Sequence, residues 1–417
     1  MSEKAFKQYL SIYAEPEVHT ISGLKHGYEY AIAIPLCNEP QECLQSIFSN
    51  IKDRHVLLVV VVNSPESQTA WQKNNAEFIQ NLQDKATQIV QLSENCSYMQ
   101  STGFNDVLLV DRNAPNRQIN SKQGVGLARK IACDIILQLF YTGLIKSPWI
   151  FSTDADVILP KDYFSCMDGI NNQYSAVVLD FIHITEDDYL SHLQYCYDFK
   201  LRYYLAGVQY ARLGYSYIPL GSTLIINALC YAQVRGFPKR NAGEDFYLLN
   251  KLAKMRPVNY QPDCLPVVRI KSRFSDRVPF GTGPALLALS RLQEGQSYRY
   301  YHPKCFVLLK QWQVYLLACW SEDCLKIQAP ENPELRALYN YWKFKRVVSQ
   351  CQSQVTSSKR WSQFVHQWFD AFKVLKTVHY FDKYYSRLNY EQLLKAQEFA
   401  KVLNPTLSRF IKHNDKI

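Results

Sequence analysis

Trp149-Ile-Phe-Ser-Thr-Asp-Ala-Asp156 is a short apolar run that ends on two carboxylates, with Val157-Ile-Leu-Pro160 behind it. Its length and apolar start predict a buried strand, and Asp154 and Asp156 then stand at the strand's C-terminal end. Carboxylates two residues apart can turn toward one cleft once the chain leaves the extended conformation. Hard oxygen donors of that kind suit Mg²⁺ or Mn²⁺, which bridge to phosphate oxygens. The same pair also fits a surface turn in which Asp bonds to its own backbone, so the surrounding chain has to decide.

Upstream, Tyr30 to Ile34 reads as a first strand and Glu42 to Ile51 as a helix. Val56 to Val62 is a continuous β-branched and aliphatic run, the pattern of a strand buried on both faces. After Asn63, Ser64 is placed to cap a helix with Pro65 in its first turn, running to about Lys85. Val107 to Val110 is a third strand, Gly126 to Leu139 a helix, Trp149 to Ser152 a fourth strand and Ala176 to Phe181 a fifth. Strands alternating with helices predict an α/β fold with a mostly parallel, Rossmann-like central sheet. No internal repeat or low-complexity segment interrupts it.

The 417 residues are 47% hydrophobic and 14% aromatic, enough for a large core and against disorder. The N-terminus has no apolar segment of the signal-peptide kind. The longest aliphatic run, Val56 to Val62, is too short to span a bilayer, and the expected location is the cytoplasm. Twelve cysteines without a CxxC pair read as buried or free thiols in a reducing compartment. The net charge of +10 is uneven: residues 331–417 hold 15 Lys and Arg against 7 Asp and Glu, and the first 330 hold 32 against 30. No nucleic-acid-binding motif accompanies this basic tail, so no nucleic acid partner is expected. The tail reads either as solvated helix faces or as a surface for an acidic partner or for anionic lipid at the inner face of a membrane.

From about Tyr298 the pattern is helical, which divides the chain into residues 1–297 and a helical C-terminal module, residues 298–417. Trp361, Phe364, Val365, Trp368, Phe372 and Leu375 are spaced as one face of a helix, which predicts core or interface packing. The tyrosines between Asp188 and Tyr215 read as an aromatic helix that packs into a core or stacks on a sugar or lipid.

Three further segments carry polar chemistry. Ile34-Pro-Leu-Cys-Asn-Glu39 ends the first strand, where Pro35, Asn38 and Glu39 can meet a base and ribose, although Asn-Glu-Pro is also a plain turn. In Lys122-Gln-Gly-Val-Gly-Leu-Ala-Arg-Lys130 the glycines, Gly124 first, permit close backbone approach at a helix start, with Arg129 within reach of a phosphate. This segment does not follow the first strand directly, which argues against a dinucleotide fold. Gly243-Glu-Asp245 sets Glu244 and Asp245 at the mouth of an apolar helix, as a dipole-favoured cap or as a general base.

In order and spacing, Pro35 to Glu39, Gly124 to Arg129, Asp154-Ala-Asp156 and Gly243-Glu-Asp245 resemble the family 2 nucleotide-sugar glycosyltransferases of the GT-A fold, over about residues 28 to 255. The resemblance implies a metal-dependent transfer of one sugar from a nucleotide diphosphate sugar to a hydroxyl acceptor, with inversion. It implies Mn²⁺ or Mg²⁺ on Asp156, with Asp154 in the metal shell or near the ribose. Pro35, Asn38 and Glu39 would line the nucleoside pocket, Asp245 would be the base and Glu244 its neighbour.

Two departures matter. Asn63 stands where the family usually has an Asp that meets the base, which leaves the base open, with a UDP-sugar as the first expectation. Arg269 to Gly283 lacks the Gln-x-x-Arg-Trp pattern of processive synthases, so a single-sugar transferase is expected. Its arginines can close over a diphosphate, bind an anionic acceptor, or pair with surface acids. A retaining GT-A enzyme and a non-catalytic nucleotide-sugar-binding protein are the alternatives.

Overall fold

The computed structural model describes residues 2–22, 24, 26–51, 55–262, 265–293, 296–321 and 324–414. Two compact units emerge, one of Met1–Ser191 with Pro219–Leu287 and one of His192–Ile218 with Ala288–Ile417.

The first unit is α/β. Its strands are β1 (Tyr30–Leu36), β2 (Val56–Asn63), β3 (Gln88–Gln91), β4 (Cys96–Gln100), β5 (Val107–Arg112), β6 (Trp149–Ser152), β7 (Val157–Ile158), β8 (Ala176–Val178), β9 (Asp180–Ile184), β10 (Leu224–Asn227), β11 (Val258–Asn259) and β12 (Val267–Lys271). Nine of them form a mixed sheet in the order β11-β8-β10-β6-β1-β2-β5-β4-β3, and β7-β12-β9 form a second sheet of three. The centre is parallel: β1 pairs with β2 and β6, and β2 with β5. Every residue of β2 is buried, as its unbroken aliphatic run requires.

Helices α1 (Ser2–Ile12), α2 (Gln45–Ile51), α3 (Thr69–Asp84), α4 (Gly124–Tyr141), α6 (Ala228–Gln233) and α7 (Glu244–Leu252) belong to this unit, and α5 (Asp188–Tyr210) and α8 (Thr282–Ser290) lie at its boundaries. Within it, α2 fixes the chain after the Asp pair: Ser46 Oγ donates to the Val157 carbonyl at 2.9 Å and Asn50 Nδ2 to the Leu159 carbonyl at 2.7 Å. α4 is held by a buried polar cluster. Lys130 Nζ and the Tyr9 and Tyr231 hydroxyls all donate to Asp134, at 2.7, 2.6 and 2.8 Å. Breaking one partner of such a cluster costs about 3–5 kcal/mol, so the register of α4 is firmly set.

The second unit is helical and includes α9 (Lys304–Ala318), α10 (Pro333–Tyr341), α11 (Phe344–Cys351), α12 (Ser358–Trp368) and α13 (Ala371–Phe381). Phe199, Tyr203, Phe306, Trp312, Phe344, Trp361 and Val365 share its core.

Several expectations need correction. The fifth strand is two strands: the chain leaves the large sheet at Leu179, and Asp180–Ile184 joins the small one. The helix after Ser64 begins at Thr69; residues 65–68 form a turn closed by Gln68 N–H to the Pro65 carbonyl at 3.2 Å, and the buried Ser64 hydroxyl has no partner. Pro35 does not end its strand, because β1 runs on to Leu36 with Pro35 opposite Val61. A proline is accommodated there because pairing to β6 stops at Ala33. The aromatic stripe spans two helices rather than one face: Phe369 closes α12 and the Asp370 carboxylate caps α13 by accepting from Lys373 N–H at 3.1 Å. The segment 192–218, placed by its sequence in the first domain, packs with the helical unit through Phe199 and Tyr203. The eleven described cysteines are free thiols.

Candidate active site

The C-terminal ends of β1, β2, β5 and β6 emerge on one edge of the parallel core, where α/β sheets bind ligands. They present Asn38 and Glu39, Asn63, Asn113, and Asp154 with Asp156 in turn.

Arg129, on α4, reaches this edge from beneath and is buried, with 2% of its surface exposed. Its Nη2 donates to Asp154 Oδ1 at 2.7 Å, its Nε to Glu244 Oε1 at 3.1 Å, and its Nη1 to Ser152 Oγ at 3.0 Å and the Gly221 carbonyl at 3.1 Å. Gly221 makes room for it, since a Cβ there would lie 2.3 Å from Nη2. The phosphate contact expected of Arg129 is replaced by an internal role: one guanidinium joins the Asp pair to the Glu-Asp pair. Gly124 and Gly126 also differ from expectation. Gly126 N–H donates to the Arg240 carbonyl at 2.8 Å, and a Cβ on Gly124 would meet Asn241 at 2.9 Å. These glycines dock the start of α4 on residues 238–241 instead of opening a phosphate cradle.

Glu244 and Asp245 open α7 after Gly243, whose φ of 69° suits glycine. Burial pushes the Glu244 carboxyl up despite Arg129 beside it. Asp245 is raised from 3.8 to about 7 by burial first and by the Glu244 charge second. Of the two, Asp245 keeps partial access to solvent while Glu244 is buried, so Asp245 is the group able to meet a hydroxyl.

A second guanidinium pair covers the other side. Arg273 and Arg277 come from the loop after β12. Arg273 Nη2 donates to Glu39 Oε1 at 2.7 Å and to Asp156 Oδ2 at 2.8 Å, while its Nη1 donates to Glu39 Oε2. Arg277 Nη1 donates to Glu39 Oε1 at 2.6 Å and to the Cys37 carbonyl. Asp156 is nevertheless raised to about 6, by burial and by the Glu39 charge.

Asn38 and Asn63 are braced by a side chain that sequence reasoning missed. Asn75 of α3 is fully buried; its Oδ1 accepts from Asn38 N–H at 2.8 Å, and its Nδ2 donates to the Asn63 carbonyl at 2.9 Å and Asn113 Oδ1 at 3.1 Å. Asn74 Nδ2 adds bonds to Asn38 Oδ1 at 3.2 Å and the Glu39 carbonyl at 2.9 Å. Together they hold Asn38 at φ 52°, a left-handed turn that sets where Glu39 goes. The signal was available: Asn75 shares the inward face of α3 with Phe78 and Leu82, a polar residue in an apolar stripe.

No cluster of three or more His, Cys, Asp or Glu able to hold a metal occurs among the described residues. The chemistry of the donor set still fits a divalent cation with further ligands from outside the protein. Asp154 and Asp156 each accept on one oxygen only, leaving one hard donor apiece. Five carboxylates (Glu39, Asp154, Asp156, Glu244 and Asp245) face three guanidiniums, so the ionised site carries an excess of two negative charges, the charge of one such ion. The surface recesses of about 770 Å³ beside Leu10 and Tyr141 and about 480 Å³ beside Tyr339 and Arg346 do not include these carboxylates. Among the described residues no helix is long and apolar enough to cross a membrane. No protein-family model matches the chain, and comparison with the curated proteins gives no match.

Proposed function

We propose that the chain is a metal-dependent glycosyltransferase of the GT-A, family 2 type. It moves one sugar from a nucleotide diphosphate sugar to a hydroxyl acceptor with inversion. The observation that carries this reading is the meeting of five sequence-distant segments at the C-terminal edge of the parallel core: Arg129 joins Asp154 to Glu244, and Arg273 joins Asp156 to Glu39.

In this reading Asn38, Glu39 and Asn63 meet the nucleoside, and Asp156 with Asp154 holds Mn²⁺ or Mg²⁺. The cation supplies compensation for the charge that develops on the leaving diphosphate. Asp245 takes the proton from the acceptor oxygen as that oxygen attacks, and a carboxyl raised to about 7 is well matched to that task near neutral pH. Arg129 keeps Asp154 and Glu244 in fixed relation, so donor and base sides stay aligned.

The test is a screen of nucleotide sugars for hydrolysis with Mn²⁺. Slow release of free nucleotide from one donor is expected even without the acceptor, and no release from any donor, together with no nucleotide binding, would remove the proposal. Stereochemistry of the product, read by NMR, distinguishes inversion from the retaining alternative.

A further inference from the structure

Two of the residues assigned to the donor are buried, whereas Asn38, Asp154 and Asp156 are partly exposed. Glu39 has 6% of its surface exposed and Asn63 5%. The Glu39 carboxylate is paired from one loop, residues 272–281, between β12 and α8, which carries Arg273 and Arg277. A single nitrogen, Arg273 Nη2, lies between carboxylates from two different strand ends, 2.7 Å from Glu39 and 2.8 Å from Asp156. Arg277 closes the same strand end from above by bonding the Cys37 carbonyl as well as Glu39.

The loop has the build of a movable part. It contains no helix or strand. At its far end Gly281 takes a φ of 120° with nothing near the position of a Cβ, a conformation that glycine alone adopts without strain. Gly283 lets the loop fold back, because a Cβ there would meet the Ser275 carbonyl at 2.4 Å, so residues 275–283 form a compact tip. Phe280 stands 57% exposed on that tip.

We propose that Arg273 and Arg277 are the donor's diphosphate ligands, parked on Glu39 and Asp156 until the donor arrives. This rests on the functional reading above. Charge pairing makes the exchange feasible. A guanidinium fork matches a phosphate as well as it matches a carboxylate, and a cation arriving with the donor replaces Arg273 at Asp156. Asp156 exchanges a guanidinium for the cation, and Glu39 is uncovered to solvent and the donor as the two arginines leave it, so neither carboxylate stays buried and alone, which is the state that would cost most. The arrangement also makes Arg273 and a cation competitors for Asp156 whenever the diphosphate is absent.

That competition gives a signature with an unusual sign. In Arg273→Gln, Mn²⁺ alone, titrated by electron paramagnetic resonance, should bind at least about fivefold more tightly than in the natural chain. The double variant Arg273→Gln, Arg277→Gln should bind inorganic pyrophosphate with Mn²⁺ at least about tenfold more weakly. Mn²⁺ affinity that stays level or falls in Arg273→Gln, or pyrophosphate affinity that is unaltered in the double variant, overturns the proposal. Should the variants fail to fold, hydrogen exchange of the natural chain decides: the amides of residues 272–281 should change protection when Mn²⁺ and pyrophosphate are added together, and an unchanged loop overturns it. A natural chain that binds neither Mn²⁺ nor any nucleotide defeats the functional reading itself, whereas one that binds both without these changes defeats only the exchange.

Discussion

Asp245→Asn should make the protein slower and more stable, and the second effect has a magnitude and a pH dependence that follow from the site. The Asp245 carboxyl rises from 3.8 to about 7, because burial and the neighbouring Glu244 both disfavour its ionised form. An unfolded chain releases this proton near 3.8 and the folded chain near 7. Between those values the folded state binds more protons, so stability falls as pH rises through the window and stays low above it. At 1.36 kcal/mol per pKa unit the full difference is about 4 kcal/mol, and partial solvent access to Asp245 brings the expected effect to about 2–4 kcal/mol.

Asparagine preserves the shape and can still accept the Phe246 N–H bond that Asp245 Oδ1 makes at 2.6 Å. The variant should therefore match the natural chain in stability near pH 4, pull ahead through pH 5 and 6, and hold a constant lead above about 7. Since the chain has two units, the measurement is hydrogen exchange of the β1 and β6 amides, which report opening of the unit that holds the site. Turnover should fall by roughly a hundredfold or more, with donor affinity little changed. A variant no more stable than the natural chain at pH 8, or a lead that ignores pH, would refute the account of Asp245. A loss confined to donor affinity would take it out of the base role.

Asp156→Ala should abolish transfer and remove the metal dependence of nucleotide diphosphate binding, measured by calorimetry with and without Mn²⁺; metal-enhanced binding that survives would move the cation elsewhere. Asn75→Asp keeps the acceptor for Asn38 N–H but turns two donors into acceptors facing oxygen. Nucleotide affinity should fall about tenfold with kcat at saturating donor within about twofold, and a fall in kcat alone would deny the bracing role. The exposed Lys343, Lys345, Arg346, Lys359 and Arg360 should give weak attachment to anionic vesicles, at about 1 kcal/mol per basic residue. Flotation at low salt should recover the chain and high salt should release it, while no recovery at low salt removes the membrane surface as a partner.

Much of the central sheet was legible because its strands are runs of β-branched and aliphatic residues, as in Val56 to Val62. β3 and β4 were not: Gln88–Gln91 is short, polar at both ends and exposed at the edge, and Cys96–Gln100, though buried, mixes Ser and Gln with apolar residues and carries no aliphatic run. The break between β8 and β9 was hidden because apolar residues continue across it into a different sheet. Site carboxylates were visible as local motifs, but their partners were not. Arg273 lies 234 residues from Glu39, and Arg129 lies 115 from Glu244. Such pairings are properties of the fold and leave no spacing in the chain.

Those pairings also bear on why the site exists. Replacing a buried ion pair by well-packed apolar side chains is often neutral or stabilising, so a cluster of five acids and three arginines is a poor device for stability. Here the fold goes to some length to keep it: Gly221 gives up its side chain to admit Arg129, α1 and α6 lock α4 through Asp134, and α3 spends buried Asn75 on holding the Asn38 turn. Asp245 and Asp156 remain raised even so, by burial first and then by the Glu244 and Glu39 charges beside them. In the proposed reading, five acids facing three arginines, two of them on one loop, would receive a cation together with an anion, and a metal-chelated diphosphate would bring both.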